Sequence, residues 1–301
     1  MIRQKGGNKS MQVKVSNVQF KFESYLSFED FANTVQRIFK DIPLESDYVL
    51  FPELVTIGLL TTYDDYHTFT SQDNRKLANF LNEYIELFNT LSKARNQIII
   101  AGSTLEQEGS YIYNTAYIFD GKGNYAKHRK THIFPAESSW DTKEGDTLET
   151  FDIGPVRIGV AICYEIEIPE IATIYSRQGA DIIFCPSYTF TKHGFWRVRH
   201  CAEARCVENQ LYVIHSPIIG EVDGVIETGF GYSSNLSPCE LPWTPNGIME
   251  ECTTSDFEVI TSILEIDTLY DKRKNGVATT YHDRKRRNDI YQQYNNKEVF
   301  L

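Results

Sequence analysis

Short apolar or strictly alternating runs take turns along the chain with stretches whose apolar residues recur at helical spacing, and this alternation restricts the fold more than any other feature. Residues 11–20, MQVKVSNVQF, alternate apolar and polar side chains and read as a strand; Phe28, Phe31, Val35, Ile38 and Phe39 then recur at helical spacing. The run DYVLFPE (47–53) is short, apolar and closed by Pro-Glu. Leu77, Phe80, Leu81, Tyr84, Leu87, Phe88 and Leu91 lie on one helical face and predict a helix over 72–95, followed by a buried strand, QIIIAG, at 97–102. YIYNTAYIFD (111–120) alternates into a Gly121-Lys122-Gly123 turn, which predicts a hairpin with YAKHRKTH as its partner. A second hairpin is predicted from LETFDI (148–153), a Gly154-Pro155 turn and VRIGVAIC (156–163). A helix near 168–178, a strand at 181–187, a helix at 194–209, a strand at 211–217 and a late strand at 258–266 complete the pattern. No linker, low-complexity tract or fixed-period repeat interrupts it, so one α/β domain with mixed sheets is expected rather than two domains. Hydrophobic alternation starts only at Met11, so residues 1–10 read as a disordered leader, 11–291 as the domain and 292–301 as a tail. YDKRKNG and HDRKRRND near the C-terminus read as a polar tail with a solvated or subunit-contacting face.

The charge balance narrows the partners. Forty-one acidic residues against thirty Lys and Arg give a net charge of -11, which speaks against binding to nucleic-acid phosphates or anionic membranes. No stretch reaches the roughly 18 apolar residues of a membrane span. The six cysteines all lie in the second half without a CxxC pair, and they read as reduced thiols of a cytoplasmic protein.

Glu53, Lys130 and Cys163 stand at the C-terminal ends of predicted strands, where open α/β sheets usually place their active sites. A thiol is mostly protonated at pH 7, so a nucleophilic cysteine needs a base or a neighbouring cation. A carboxylate and an ammonium supply both, as base and as oxyanion stabiliser. Taken singly, each residue has a plainer reading: Cys163 as an inert core thiol, Lys130 as part of a solvated basic run, Glu53 as a surface or helix-start carboxylate. A Cys-His pair using His128, His132, His193, His200 or His215 lacks a papain-type signature, and neither a phosphate loop nor a nucleophile-elbow serine occurs. His193, His200, Cys201 and Cys206 fall on several faces of one predicted helix, which argues against a metal site; no metal and no cofactor are expected.

Three blocks in order, FPE (51–53), YAKHRKTHIFPAE (125–137) and RIGVAICYEIEIPE (157–170), resemble the signatures of the nitrilase superfamily, the carbon-nitrogen hydrolases. GADIIFCPS (179–187), FWRVRHCAEARCVENQLYVI (195–214) and DRKRRNDIY (283–291) are similar to further family blocks, so the resemblance runs from Met11 to about Tyr291. It implies a four-layer αββα sandwich that pairs as a homodimer or higher homo-oligomer. It also implies Glu53 as general base, Lys130 as the cation at the tetrahedral intermediate, Cys163 as nucleophile, Glu137 as a second glutamate beside them and the Tyr164 backbone N–H as an oxyanion donor. By position, Tyr188, Thr189, Phe190 and Trp196 are candidates for the substrate pocket. The implied reaction is hydrolysis of a small-molecule amide through a thioester on Cys163. Cys163-Tyr164-Glu165 is closer to the amidase pattern than to the Cys-Trp-Glu of nitrilases. Carbamoyl-amide hydrolysis, nitrile hydrolysis, acyl transfer to an amine and a non-catalytic binding role stay open as alternatives. Ile166-Glu167-Ile168 replaces the Arg or Phe usual before Pro-Glu, and the loop 232–247 departs from the common Gly-x-Ser pattern; both bear on the substrate.

Overall fold

Two six-stranded sheets stacked face to face organise the chain, as seen in a computed structural model that describes residues 10–295. The first half supplies β1 (Gln12–Gln19), β2 (Lys21–Phe22), α1 (Phe28–Ile38), β3 (Tyr48–Leu50), α2 (Leu81–Arg95), β4 (Ile98–Glu108), β5 (Tyr111–Phe119) and β6 (Tyr125–Arg129). The second half supplies β7 (Phe151–Asp152), β8 (Arg157–Val160), α3 (Pro169–Arg177), β9 (Ile182–Ser187), α4 (Lys192–Asn209), β10 (Tyr212–Pro217), β11 (Ile219–Gly220), β12 (Ser234–Leu236), β13 (Ile248–Glu251) and β14 (Glu258–Glu265). Helices α5 (Ile266–Asn275), α6 (Thr280–Arg286) and α7 (Asn288–Asn295) follow. One sheet runs β14-β1-β3-β4-β5-β6 and the other β13-β12-β10-β9-β8-β7. Parallel pairing of β1 with β3, β3 with β4, β8 with β9 and β9 with β10 comes from crossover connections, whereas β4, β5 and β6 form an antiparallel meander.

The inner faces meet through Val13, Val15, Leu50 and Ile100 of one sheet and Ile158, Val160, Ile182 and Phe184 of the other, all fully buried. The Tyr48 and Phe184 rings touch across this layer with centroids 5.5 Å apart. Outside the first sheet, α1 and α2 bury Phe31, Val35, Tyr84 and Phe88. Outside the second, α3 and α4 bury Ile171, Ala172, Val198 and Ala202. The layers are therefore αββα in a single α/β domain. Each buried Leu, Ile, Val or Phe contributes on the order of 1.5–3 kcal/mol, so both faces of each sheet must be covered. No helix among the described residues is long and apolar enough to cross a membrane.

Several sequence expectations change. The helix predicted over 72–95 is α-helical only from Leu81; Ser71–Phe80 is a tighter 3-10 stretch, because SQDNRKLANF supplies just Leu77 as a fully buried apolar anchor. The strand predicted over 156–163 ends at Val160, and the chain then turns sharply. The region after 217 contributes β12 and β13, two strands that alternation does not reveal. Residues 266–295 are three helices rather than a polar tail, and α5 docks through buried Ile266, Leu269 and Arg273. Residues 1–9 of the expected leader and 296–301 of the expected tail lie outside the described residues, and the described part of that tail, 292–295, belongs to α7.

Candidate active site

Glu53, Lys130 and Cys163 each follow the end of a strand, whereas Glu137 lies on the 3-10 turn Pro135–Trp140. β3 ends at Leu50 and delivers Glu53 through Pro52, after which Leu54 takes a left-handed backbone, φ 47°. That turn lies hard against Gly102, φ +71°, where a Cβ would sit 1.8 Å from the Pro52 carbonyl oxygen; only glycine fits. Ser103 completes the support, its Oγ accepting from Leu54 N–H at 3.0 Å and its carbonyl accepting from Val55 N–H at 3.1 Å. Lys130 follows β6 directly, its N–H donating to the Asn114 carbonyl of β5 at 2.9 Å. Cys163 comes three residues after β8 with φ 48°, a strained conformation for a residue with a Cβ that turns its thiol out of the strand line.

The buried Lys130 ammonium donates to Glu53 Oε1 at 2.8 Å and also to Glu137 Oε1. Asn114 Nδ2 donates to the same Glu53 oxygen at 2.9 Å. Glu53 Oε2 and Glu137 Oε2 are buried and have no hydrogen-bond partner among the described residues. Cys163 Sγ lies 3.6 Å from the Tyr188 carbonyl oxygen, to which the thiol donates. Burial works against the Lys130 charge, but the carboxylates of Glu137 and Glu53 outweigh it and hold the ammonium well above its ordinary value. Burial pushes the Glu137 carboxyl up to about 7, with the nearby Glu53 charge adding to the shift and Lys130 opposing it. The Cys163 thiol is pushed up by burial and by the Glu53 charge, against the pull of Lys130. Lys130 thus bridges the Glu53 and Glu137 side chains within one buried site.

A second cluster ties these strand ends together. Glu165 is fully buried; its Oε2 accepts from Ile162 N–H at 2.6 Å, and its Oε1 accepts from Thr131 N–H at 2.8 Å and Thr131 Oγ1 at 2.6 Å. His128 Nε2 lies 2.9 Å from Glu165 Oε2. Burial would raise the Glu165 carboxyl, but His128 and Thr131 win and hold it below the usual range. This carboxylate joins the Lys130 segment to the Cys163 turn.

A cavity of about 150 Å³ opens onto Cys163 and Glu137 and is lined by Tyr188, Thr189 and Phe190, three of the residues proposed from sequence position. Phe134, Glu167, His193 and Arg197 complete its polar and aromatic wall. Trp196 does not reach it: one step along α4 from Arg197, it projects to the half-exposed side and stacks on His200 with centroids 5.5 Å apart. Tyr164 directly follows the strained Cys163. Among the candidate histidine bases, His128 is held by Glu165, and His215 is buried against the Phe195 ring, centroids 5.9 Å apart. Among the described residues no group of three or more His, Cys, Asp and Glu side chains is placed to hold a metal ion.

Asn114 and Glu165 escape a reading of the sequence. For Asn114 the signal is a polar residue within the alternating strand 111–120, and for Glu165 it is a carboxylate two residues past a candidate nucleophile; neither identifies a partner.

The sequence profile of the carbon-nitrogen hydrolases matches residues 16–238. The chain is 33% identical over 284 residues to "Probable hydrolase YhcX" of Bacillus subtilis, covering 93% of this chain and 54% of that protein. It is 31% identical over 217 residues to the chloroplastic omega-amidase of Arabidopsis thaliana, covering 68% of this chain and 55% of that protein. The chain thus spans about half the length of both relatives. In fold it resembles the crystal structure of Saccharomyces cerevisiae Nit3, of the nitrilase superfamily, with TM-score 0.73 and 24% identity over 89% of this chain and 95% of that one.

Proposed function

Because the chain belongs to the carbon-nitrogen hydrolase family, in its amidase-like branch of the nitrilase superfamily, we propose that the protein hydrolyses a small-molecule amide through an acyl-enzyme on Cys163. The observation that carries this reading is the buried Lys130 ammonium bonded to Glu53 at 2.8 Å and to Glu137, with Cys163 on the same cavity.

Glu53 Oε1 is occupied by Lys130 and Asn114, which leaves Oε2 unpartnered as the acceptor for the thiol proton. As Sγ bonds to the amide carbon, the proton passes to Glu53 and negative charge develops on the amide oxygen. Lys130 and the Tyr164 N–H stabilise that charge, and in a dry site such donors are worth several kcal/mol. The C–N bond then breaks, Glu53 returns the proton to the departing amine and a thioester remains. Water, deprotonated by Glu53, attacks the thioester carbon; Cys163 leaves as a thiol and a carboxylic acid is released. Glu137 holds Lys130 in place throughout and keeps it charged.

The test is ammonia release from a panel of small primary amides, paired with mass measurement of the Cys163 peptide during turnover. Turnover with an acyl-mass increment on Cys163 is expected, with losses of roughly a thousandfold or more in Cys163→Ala, Glu53→Gln and Lys130→Ala. Undiminished turnover in Cys163→Ala would overturn the thioester route.

A further inference from the structure

The cavity beside Cys163 is lined by two carboxylates, Glu137 and Glu167, and one permanent cation, Arg197. Glu137 is engaged with Lys130, so Glu167, Arg197 and the imidazole of His193 are the ionisable groups on the rest of the wall, with Glu167 and Arg197 the two that pair. These two meet through a single contact, Arg197 Nε to Glu167 Oε2 at 2.7 Å. Their environments differ: the Glu167 side chain is 11% exposed and the Arg197 side chain 49%. Glu167 Oε1 is buried without a hydrogen-bond partner among the described residues. A buried carboxylate oxygen without a donor is destabilising, and a ligand or water can supply the donor.

The aromatic walls of the same cavity suit a cation. Phe134 faces the Arg197 guanidinium at 5.8 Å and packs edge-on against Tyr164, centroids 5.7 Å apart, and Phe190, 6.4 Å apart. Phe190 in turn meets Tyr188 edge-on at 4.8 Å. Aromatic faces attract ammonium and guanidinium groups, and repel carboxylates by the same quadrupole. An acyl chain ending in a carboxylate would meet Glu137 and Glu167 against one cation already paired.

We infer that Glu167 is a specificity-determining residue and that the substrate is an amide carrying an ammonium group, which Glu167 Oε1 receives among the aromatic rings. This rests on the amidase reading of the same site, and its test is built to stand apart from turnover.

Methanethiosulfonate reagents of nearly equal size, one bearing an ammonium and one a sulfonate, report the charge preference at Cys163 without any amide being cleaved. The cysteine sulfur attacks the reagent's sulfenyl sulfur, methanesulfinate leaves, the thiol proton passes to buffer and a mixed disulfide remains. Rates are read at the Cys163 peptide by mass spectrometry and normalised to those of a free thiol in solution. The cationic reagent is expected to label the wild-type protein at least tenfold faster than the anionic one. Glu167→Gln should shrink that ratio at least fivefold, Glu167→Asp should retain most of it, and Arg197→Ala should raise it. A wild-type ratio at or below one, or a ratio unchanged in Glu167→Gln, would overturn the inference; a general loss of packing would raise both rates toward those of the free thiol, which the Glu167→Gln charge effect does not. In parallel, kcat/KM for 5-aminopentanamide over pentanamide should exceed tenfold and fall in Glu167→Gln. Turnover of pentanamide without preference for the amino compound overturns the inference and leaves the amidase reading standing. The expected labelling ratios without turnover of any amide support the assignment of Glu167 and count against the amidase reading.

Discussion

In the proposed reaction, Asn114 takes no part in bond making but positions a residue that does. Its amide donates at 2.9 Å to Glu53 Oε1, and its carbonyl accepts at 2.9 Å from the Lys130 N–H, so one residue orients both ends of the pair. A hydrogen bond to a charged group contributes about 1.5–3 kcal/mol. Asn114→Leu is close in size, removes the side-chain amide and keeps the backbone carbonyl, so kcat/KM for the preferred amide is expected to fall roughly 10- to 100-fold, mostly in kcat. Steady-state kinetics beside a urea titration checks this, and a rise in KM without a fall in kcat would refute it. The cysteine differs in kind: a left-handed backbone at a residue with a Cβ is stored strain, maintained by the packing of β8, β9 and the Glu165 bonds around the turn.

At the scale of elements, Glu165 is the fastening between the loop after β6 and the turn after β8, and these come from different sheets. Its ionised form is favoured in the folded state, so the stability it supplies is present above the ordinary carboxylate range and is lost as pH falls through that range toward its lowered value. Replacing it with Gln leaves His128 and the Thr131 and Ile162 donors poorly matched in a dry site, and the unfolding free energy measured in urea is expected to drop by about 3 kcal/mol. Most of the strands that carry the site are legible in the sequence because one face of each is apolar, as in VKV of β1, IIIAG of β4 and IIF of β9. β12 is not, because its central residue Asn235 is buried by hydrogen bonding rather than by apolar contact: its Nδ2 donates to Ser262 Oγ at 2.9 Å, and its Oδ1 accepts from Asn17 Nδ2 at 3.1 Å. The Glu-Lys-Cys set is visible through three spaced blocks, whereas Asn114, Glu165 and Glu167 depend on which strand ends meet, and residue spacing does not report that. Trp196 marks the opposite failure, since its place in the chain beside the cavity says nothing of which side of α4 it takes.

Across the whole molecule, acid is the expected route to unfolding, and His215 supplies a measurable part of it. The ring is buried without a hydrogen-bond partner among the described residues; burial first, and the Arg199 charge second, lower its pKa from 6.5 to about 3. The unfolded chain therefore binds a proton that the folded one refuses. The stability associated with neutral His215 is complete above pH 6.5 and declines by about 1.4 kcal/mol per pH unit below it, until the folded ring titrates near 3. Urea midpoints from pH 7 to 4.5 should fall steeply in the wild-type protein and less in His215→Leu; parallel slopes would refute the assignment. The topology carries a further consequence, for the order in which a ribosome releases this chain. Two carboxylates and a lysine are made by residue 137, the thiol by 163 and the strands beside it by 217, yet the exposed edge of β1 waits for β14, whose eight residues pair along it from Gln12–Glu265 to Gln19–Glu258. A nascent chain thus holds both carboxylates, the lysine and the thiol before β14 arrives to cover the open edge of β1.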